Sequence, residues 1–123
     1  MIKSPEVISF ALAGYGRFGR HHANVLSNHP SAQVSAIAEP DPSAIEQARK
    51  DFPETQIFED PVRMIQEMEF DAVTIVSPEN THAEIVRKAL NKGIHVFCEK
   101  PLSTRLDEAR ELVKLANQKN LLL

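Results

Sequence analysis

Val7-Ile8-Ser9-Phe10-Ala11-Leu12-Ala13-Gly14-Tyr15-Gly16-Arg17-Phe18-Gly19 sets the architecture of this chain. Val7 to Ala13 is a short apolar run with β-branched and aromatic members that stops at a glycine, so it reads as a strand. Beyond Gly14 the period changes: Phe18, Val25 and Leu26 recur at helical spacing, which predicts a helix with these residues facing a sheet. No Ser, Thr, Asp or Asn stands at the start of that helix to cap it. Bare amides at the positive end of a helix dipole favour an anion, so the missing cap is informative. Gly14 permits the tight turn, Gly16 lets main chain approach a diphosphate, and Gly19 lets helix pack closely on strand. Residues 14–19 thus fit G-x-G-x-x-G in the strand-turn-helix setting that a dinucleotide requires; the plain alternative is a glycine-rich turn with no ligand.

Outward from this unit, apolar runs alternate with helical patterns. Strands are expected at Val7 to Ala13, Ala32 to Ala38, Gln56 to Phe58, Asp71 to Val76, Ile94 to Cys98 and from Leu121 onward, with five helices between them. Asp41-Pro42 and Asp60-Pro61 pair an N-cap acceptor with a proline at the first helical position. Thr81 with Glu84, and Thr104 with Asp107, have capping-box spacing. Apolar stripes run through Ile85, Val86, Ala89 and Leu90, ending at Gly93, and through Leu106, Ala109, Val113 and Ala116. Alternating strand and helix predicts an α/β fold: a doubly wound parallel Rossmann sheet with helices on both faces, one domain over residues 1–123. Leu121-Leu122-Leu123 looks like the opening of a further strand, so the chain is expected to be a truncation.

Composition narrows the partners. The 123 residues carry a formal charge of −3 with no cluster of Lys or Arg, which leaves nucleic acid and anionic membrane without an electrostatic footprint. No apolar stretch nears the roughly 20 residues of a membrane span. Ala11-Leu12-Ala13 resembles a leader-cleavage site, but Pro5 and Glu6 break the approach and Lys3 is the sole positive side chain before it. The single cysteine, Cys98, forms no internal disulfide, and with the missing leader it points to the cytoplasm. His21, His22, His29 and His95 have no ligand spacing with Cys98, so no metal is expected.

Further candidate site residues follow the strands. Glu39 ends the second strand about twenty residues after Gly19, where an acid accepts hydrogen bonds from an adenosine ribose and repels a 2′-phosphate. This favours NAD, while Arg17 near the phosphates leaves NADP open; taken alone, Glu39 reads first as an exposed strand-end carboxylate. Ser77-Pro78-Glu79-Asn80-Thr81-His82 leaves the fourth strand and Glu99-Lys100-Pro101 the fifth. Ligands of open α/β sheets bind outside the carboxyl ends of strands, so both loops are expected to join Gly14 and Glu39 at one cleft. Read alone, Lys100 is as well a solvated lysine, and His82 an ordinary first-turn histidine.

With these residues in view, the chain resembles the N-terminal domain of the Gfo/Idh/MocA oxidoreductases, the family of glucose-fructose oxidoreductase and inositol dehydrogenase. The resemblance rests on Gly14 to Gly19 with His22 following, on Pro78-x-x-x-His82, on Ala89-Leu90-x-x-Gly93-x-His95-Val96 and on Glu99-Lys100-Pro101-Leu102. It implies an enzyme domain that binds NAD, or NADP, through Gly14, Tyr15, Gly16, Arg17, Phe18, Gly19, Glu39, Ser77, Pro78, His82, Glu99, Lys100 and Pro101. It implies hydride transfer with a sugar, polyol or related hydroxyl compound, Lys100 lying beside nicotinamide and substrate hydroxyl as the catalytic residue. The family's substrate pocket, and usually a histidine base, come from a C-terminal domain that this chain lacks, and homo-oligomers are common. A free-standing module that binds or senses NAD is the alternative. The opening Gly14 to Arg20 is also similar to glyceraldehyde-3-phosphate dehydrogenase, but Glu99-Lys100-Pro101 argues against it, and Cys98 at a strand end is poorly matched to a nucleophile.

Overall fold

A computed structural model of the chain describes residues 6–123. The start of the domain at residue 1, and the reading of Lys3 and Pro5 against a leader, lie outside the described residues. Five strands, β1 (Ile8–Ala13), β2 (Ala32–Ala38), β3 (Gln56–Phe58), β4 (Ala72–Ile75) and β5 (His95–Cys98), form one sheet in the order β3-β2-β1-β4-β5. Every pairing is parallel, so all five carboxyl ends lie along one edge. The chain steps outward from β1 to β3, then returns to lay β4 beside β1. That reversal opens a crevice beyond the carboxyl ends of β1 and β4.

Helices α1 (Arg17–Ser27) and α2 (Pro42–Asp51) cover one face, where Ala23 and Ala48 pack on Leu12 and Ile37. Helices α3 (Pro61–Glu67), α4 (His82–Lys92) and α5 (Leu106–Gln118) cover the other. On that side Ala11, Ala13, Ala36 and Ala38 are fully buried, and their short side chains leave room for Met64, Val86 and Leu90. The α/β doubly wound class read from the sequence is the fold. No helix among the described residues is long and apolar enough to cross a membrane.

Several local expectations change in three dimensions. Phe18 and Val25 do not face the sheet: they are 71% and 55% exposed, and Gly19 and Ala23 make the contact. The helix lies so near β1 that only small residues fit between them, so the bulky ones turn outward. In α5 Ala116 faces inward as read, but Leu112 joins it while Leu106 and Val113 are exposed. The stripe of α4 is buried as read, and Gly93 ends that helix at φ 87°. Leu121 onward is not a strand: Val96 N–H donates to Leu122 O at 3.0 Å, but Leu122 N–H turns to the His95 ring and breaks the ladder.

Caps also divide. Asp41 accepts from Ala44 N–H at 3.0 Å and Asp60 from Val62 N–H at 2.9 Å, as read. Thr81 does not cap α4, because its hydroxyl donates to Pro78 O at 2.7 Å and meets Ser77 Oγ at 2.8 Å. Nor does Thr104 cap α5; that helix starts after Arg105, and Ser103 Oγ accepts from Arg105 N–H while bonding Glu108.

Asp41→Ala should therefore lower the thermal midpoint by a few degrees. The Ser43 hydroxyl, then the Ala44 amide, hold the Asp41 carboxyl below its ordinary value of 3.8. A lowered native value means the stabilisation is complete above pH 3.8 and fades as the pH falls below it. Melts of wild type and variant should thus converge in strong acid.

Candidate functional site

The fingerprint turn is tight on two sides and open on the third. Gly14 sits at φ +104°, and a Cβ there would come 2.7 Å from Ser77 N and 2.8 Å from Val76 C. Gly14 N–H donates to Ala38 O at 2.8 Å, which ties the turn to β2 as well as to the β4 loop. A Cβ on Gly19 would lie 2.1 Å from Gly14 O. A Cβ on Gly16 would meet nothing within 4 Å. Gly16 is also the N-cap of α1, with no side-chain cap and no acid in the first turn. The helix thus presents its first amides to an open approach, a seat whose donors suit a diphosphate.

The other fingerprint side chains point different ways. Tyr15 is 3% exposed; its hydroxyl donates to Asp51 Oδ2 at 2.7 Å, and its ring meets Phe52 edge-on. Burial first, and Asp51 second, push the Tyr15 hydroxyl well above the usual phenol range. The side chain is committed to the core, so only the main chain of Tyr15 faces the turn. Its N–H donates to Glu39 Oε1 at 3.4 Å, and Glu39 is 9% exposed at the end of β2. Arg17 is exposed and borders a hollow between α1 and α2, beside Arg20 and Asp51.

On the other side of the turn, the β4 and β5 loops meet. Phe18, Ser77, Glu79, His82, Glu99 and Lys100 line a cleft of about 350 Å³. Pro78 and Pro101 are exposed at its sides. His82 borders the cleft but is 1% exposed, with Nδ1 2.7 Å from Pro101 O and Nε2 2.8 Å from Ser77 O. His82 thus lies at the cleft, as expected from sequence, with its two ring nitrogens against one carbonyl from each loop. Residues 14–19, the β4 loop and the β5 loop thus converge, while Tyr15 and His82 serve from beneath. Cys98 is half-buried; burial and the neighbouring Glu99 charge push its thiol up to about 12, which makes it a poor nucleophile.

One contact had no local signal. His22, on α1, meets Glu99 Oε1 through Nε2 at 3.0 Å across 77 residues of chain, and its ring lies 5.6 Å from that of Phe97. Nothing in the spacing of either motif foretells the pairing.

The architecture around the seat agrees with known proteins. The family model described as oxidoreductase family, NAD-binding Rossmann fold, matches residues 8–123. The chain belongs to the Gfo/Idh/MocA oxidoreductase family. Within that family, scyllo-inositol 2-dehydrogenase (NAD(+)) of Bacillus subtilis is 34% identical over 101 residues, covering 81% of this chain and 30% of that protein. Apo scyllo-inositol dehydrogenase from Lactobacillus casei superposes with a TM-score of 0.89 at 31% identity, over 97% of this chain and 36% of that one. The Lactobacillus casei enzyme crystallised with NAD(H) and scyllo-inositol gives 0.88 at 32% identity, over 94% and 35% of the two chains. The chain spans about a third of the length of these Gfo/Idh/MocA relatives. It is an NAD-binding Rossmann domain of the family.

Proposed function

We propose that this domain holds NAD across the carboxyl ends of its sheet for an oxidoreductase that acts on the CH–OH group of a polyol such as an inositol, or of a sugar. The observation that carries the reading is the unobstructed Gly16 face of an uncapped helix, flanked by two glycines that admit no side chain. The amides after Gly16 take the diphosphate, with the exposed Arg17 charge nearby and Phe18 covering the seat. Tyr15 contributes through its main chain. The Glu39 carboxylate accepts from ribose hydroxyls, which favours NAD over NADP. Ser77, Pro78, Glu99, Lys100 and Pro101 wall the nicotinamide end, with His82 behind them.

NAD, when bound, supplies the hydride acceptor. The Lys100 ammonium orients the substrate hydroxyl and stabilises negative charge developing on its oxygen. The names of the similar enzymes support a polyol substrate. The substrate pocket and the proton acceptor belong, on this reading, to a further domain of the kind the longer relatives have room for. A single, poorly reactive cysteine suits the reducing cytoplasm.

Calorimetric titration tests the assignment: NADH should release heat with a single site, and silence from both NADH and NADPH would overturn it. Glu39→Ala should narrow the NADH preference by roughly tenfold, about 1.4 kcal/mol of discrimination. An unchanged ratio of the two dissociation constants would remove the ribose contact.

A further inference from the structure

We infer that Lys100 is set in place by two histidine braces, His22 and His82, which grip the residues on either side of it from opposite faces of the sheet. His22 stands on α1 and meets the Glu99 carboxylate at 3.0 Å. His82 opens α4, on the other face, and meets the Pro101 carbonyl at 2.7 Å. Lys100 lies between the two gripped residues. Its own side chain is exposed and enters none of the described ion pairs, so the backbone on either side must set its direction.

Each brace also reaches a second wall. The other nitrogen of His82 meets Ser77 O at 2.8 Å, so one buried ring joins the β4 loop to the β5 loop. His22 is tilted against Phe97, one of the last residues of β5, and its helix begins at the diphosphate seat. The seat, the β4 loop and Lys100 are thereby referred to one another through two imidazoles rather than through flexible loop backbone. A group that must meet a reacting atom gains from such preorganisation, since small misplacement costs rate steeply. His22 and His82 are positioning residues; neither is assigned contact with the reacting atoms.

The inference rests on the proposed nicotinamide-side role of Lys100, and two readouts separate its fate from that proposal. The first needs no cofactor. Glu99 N–H donates to Ile75 O at 2.9 Å at the end of β5, while Gly14 N–H donates to Ala38 O on the far side of β1. In the free chain, His22→Ala and His82→Leu should each speed amide exchange at Glu99 by about tenfold and leave Gly14 unchanged. No change at Glu99, or an equal rise at both amides, overturns the braces.

The second readout compares NADH with ADP-ribose, which lacks the nicotinamide. Either variant should free the Glu99 and Pro101 walls of the nicotinamide end as well as the Lys100 backbone, and so weaken NADH by several-fold and leave ADP-ribose as it was; equal losses would reduce the histidines to general stability. Wild type that binds neither ligand would sink the proposed function, and exchange would still decide the braces. If His82→Leu fails to fold, His82→Gln, whose carboxamide can still donate to a loop carbonyl, should restore much of the Glu99 protection. A His82→Gln chain that folds yet exchanges at Glu99 like an unbraced loop would overturn the His82 brace.

Discussion

Gly19→Ala should strongly destabilise the domain, whereas Gly16→Ala should leave a well-folded domain that binds NADH at least about tenfold more weakly. Both changes add one methyl group to the same motif. At Gly19 that carbon would sit 2.1 Å from Gly14 O, a main-chain atom that cannot swing aside, so α1 must lift off β1. Overpacking of this kind costs about 3 kcal/mol, enough to consume much of the stability of a small domain. At Gly16 the backbone lies at φ −75°, which any residue accepts, and no protein atom stands within 4 Å. Its stability should stay within about 0.5 kcal/mol of wild type. The methyl instead occupies the approach to the helix amides, and NADH affinity should fall at least about tenfold. Melts by circular dichroism with calorimetry on the same samples separate the two effects. Normal NADH binding by Gly16→Ala would show that the diphosphate sits elsewhere.

Lys100→Ala, made in a protein that also carries a substrate domain, should lower turnover by roughly 10²- to 10³-fold with little change in NADH affinity. Lys100 is exposed here and holds no described hydrogen bond or ion pair, so removing its amine should cost the fold almost nothing. The loss is expected in kcat because the ammonium meets charge that develops only during reaction. Stopped-flow rates with NADH dissociation constants for both proteins make the comparison. Parallel losses in turnover and cofactor affinity would make Lys100 a binding residue instead.

Much of this site was legible in one dimension because its causes are local. A glycine that must turn at φ +104°, and a helix start with no capping side chain, leave their mark within a few residues. Asp41 and Asp60 were legible for the same reason, since cap and amide are near neighbours. Thr81 and Thr104 misled because matching spacing does not guarantee the bond: both hydroxyls sit in loops with other partners or a shifted helix start. The inward face of α1 misled because hydrophobicity ranks residues by transfer energy, whereas close approach selects them by size.

The order of strand, glycine turn, uncapped helix and acid-ended strand settled the fold class and marked the anion seat proposed above, since each depends on contacts within one βαβ unit. Only the folded sheet decided that Tyr15 turns inward, that the His82 ring lies between the carbonyls of Ser77 and Pro101, and that His22 reaches Glu99. Those pairings join segments up to 77 residues apart. The His82 pairings arise because parallel strands bring every carboxyl-end loop to one edge, and the others because helices pack across that sheet, juxtapositions that no local spacing records.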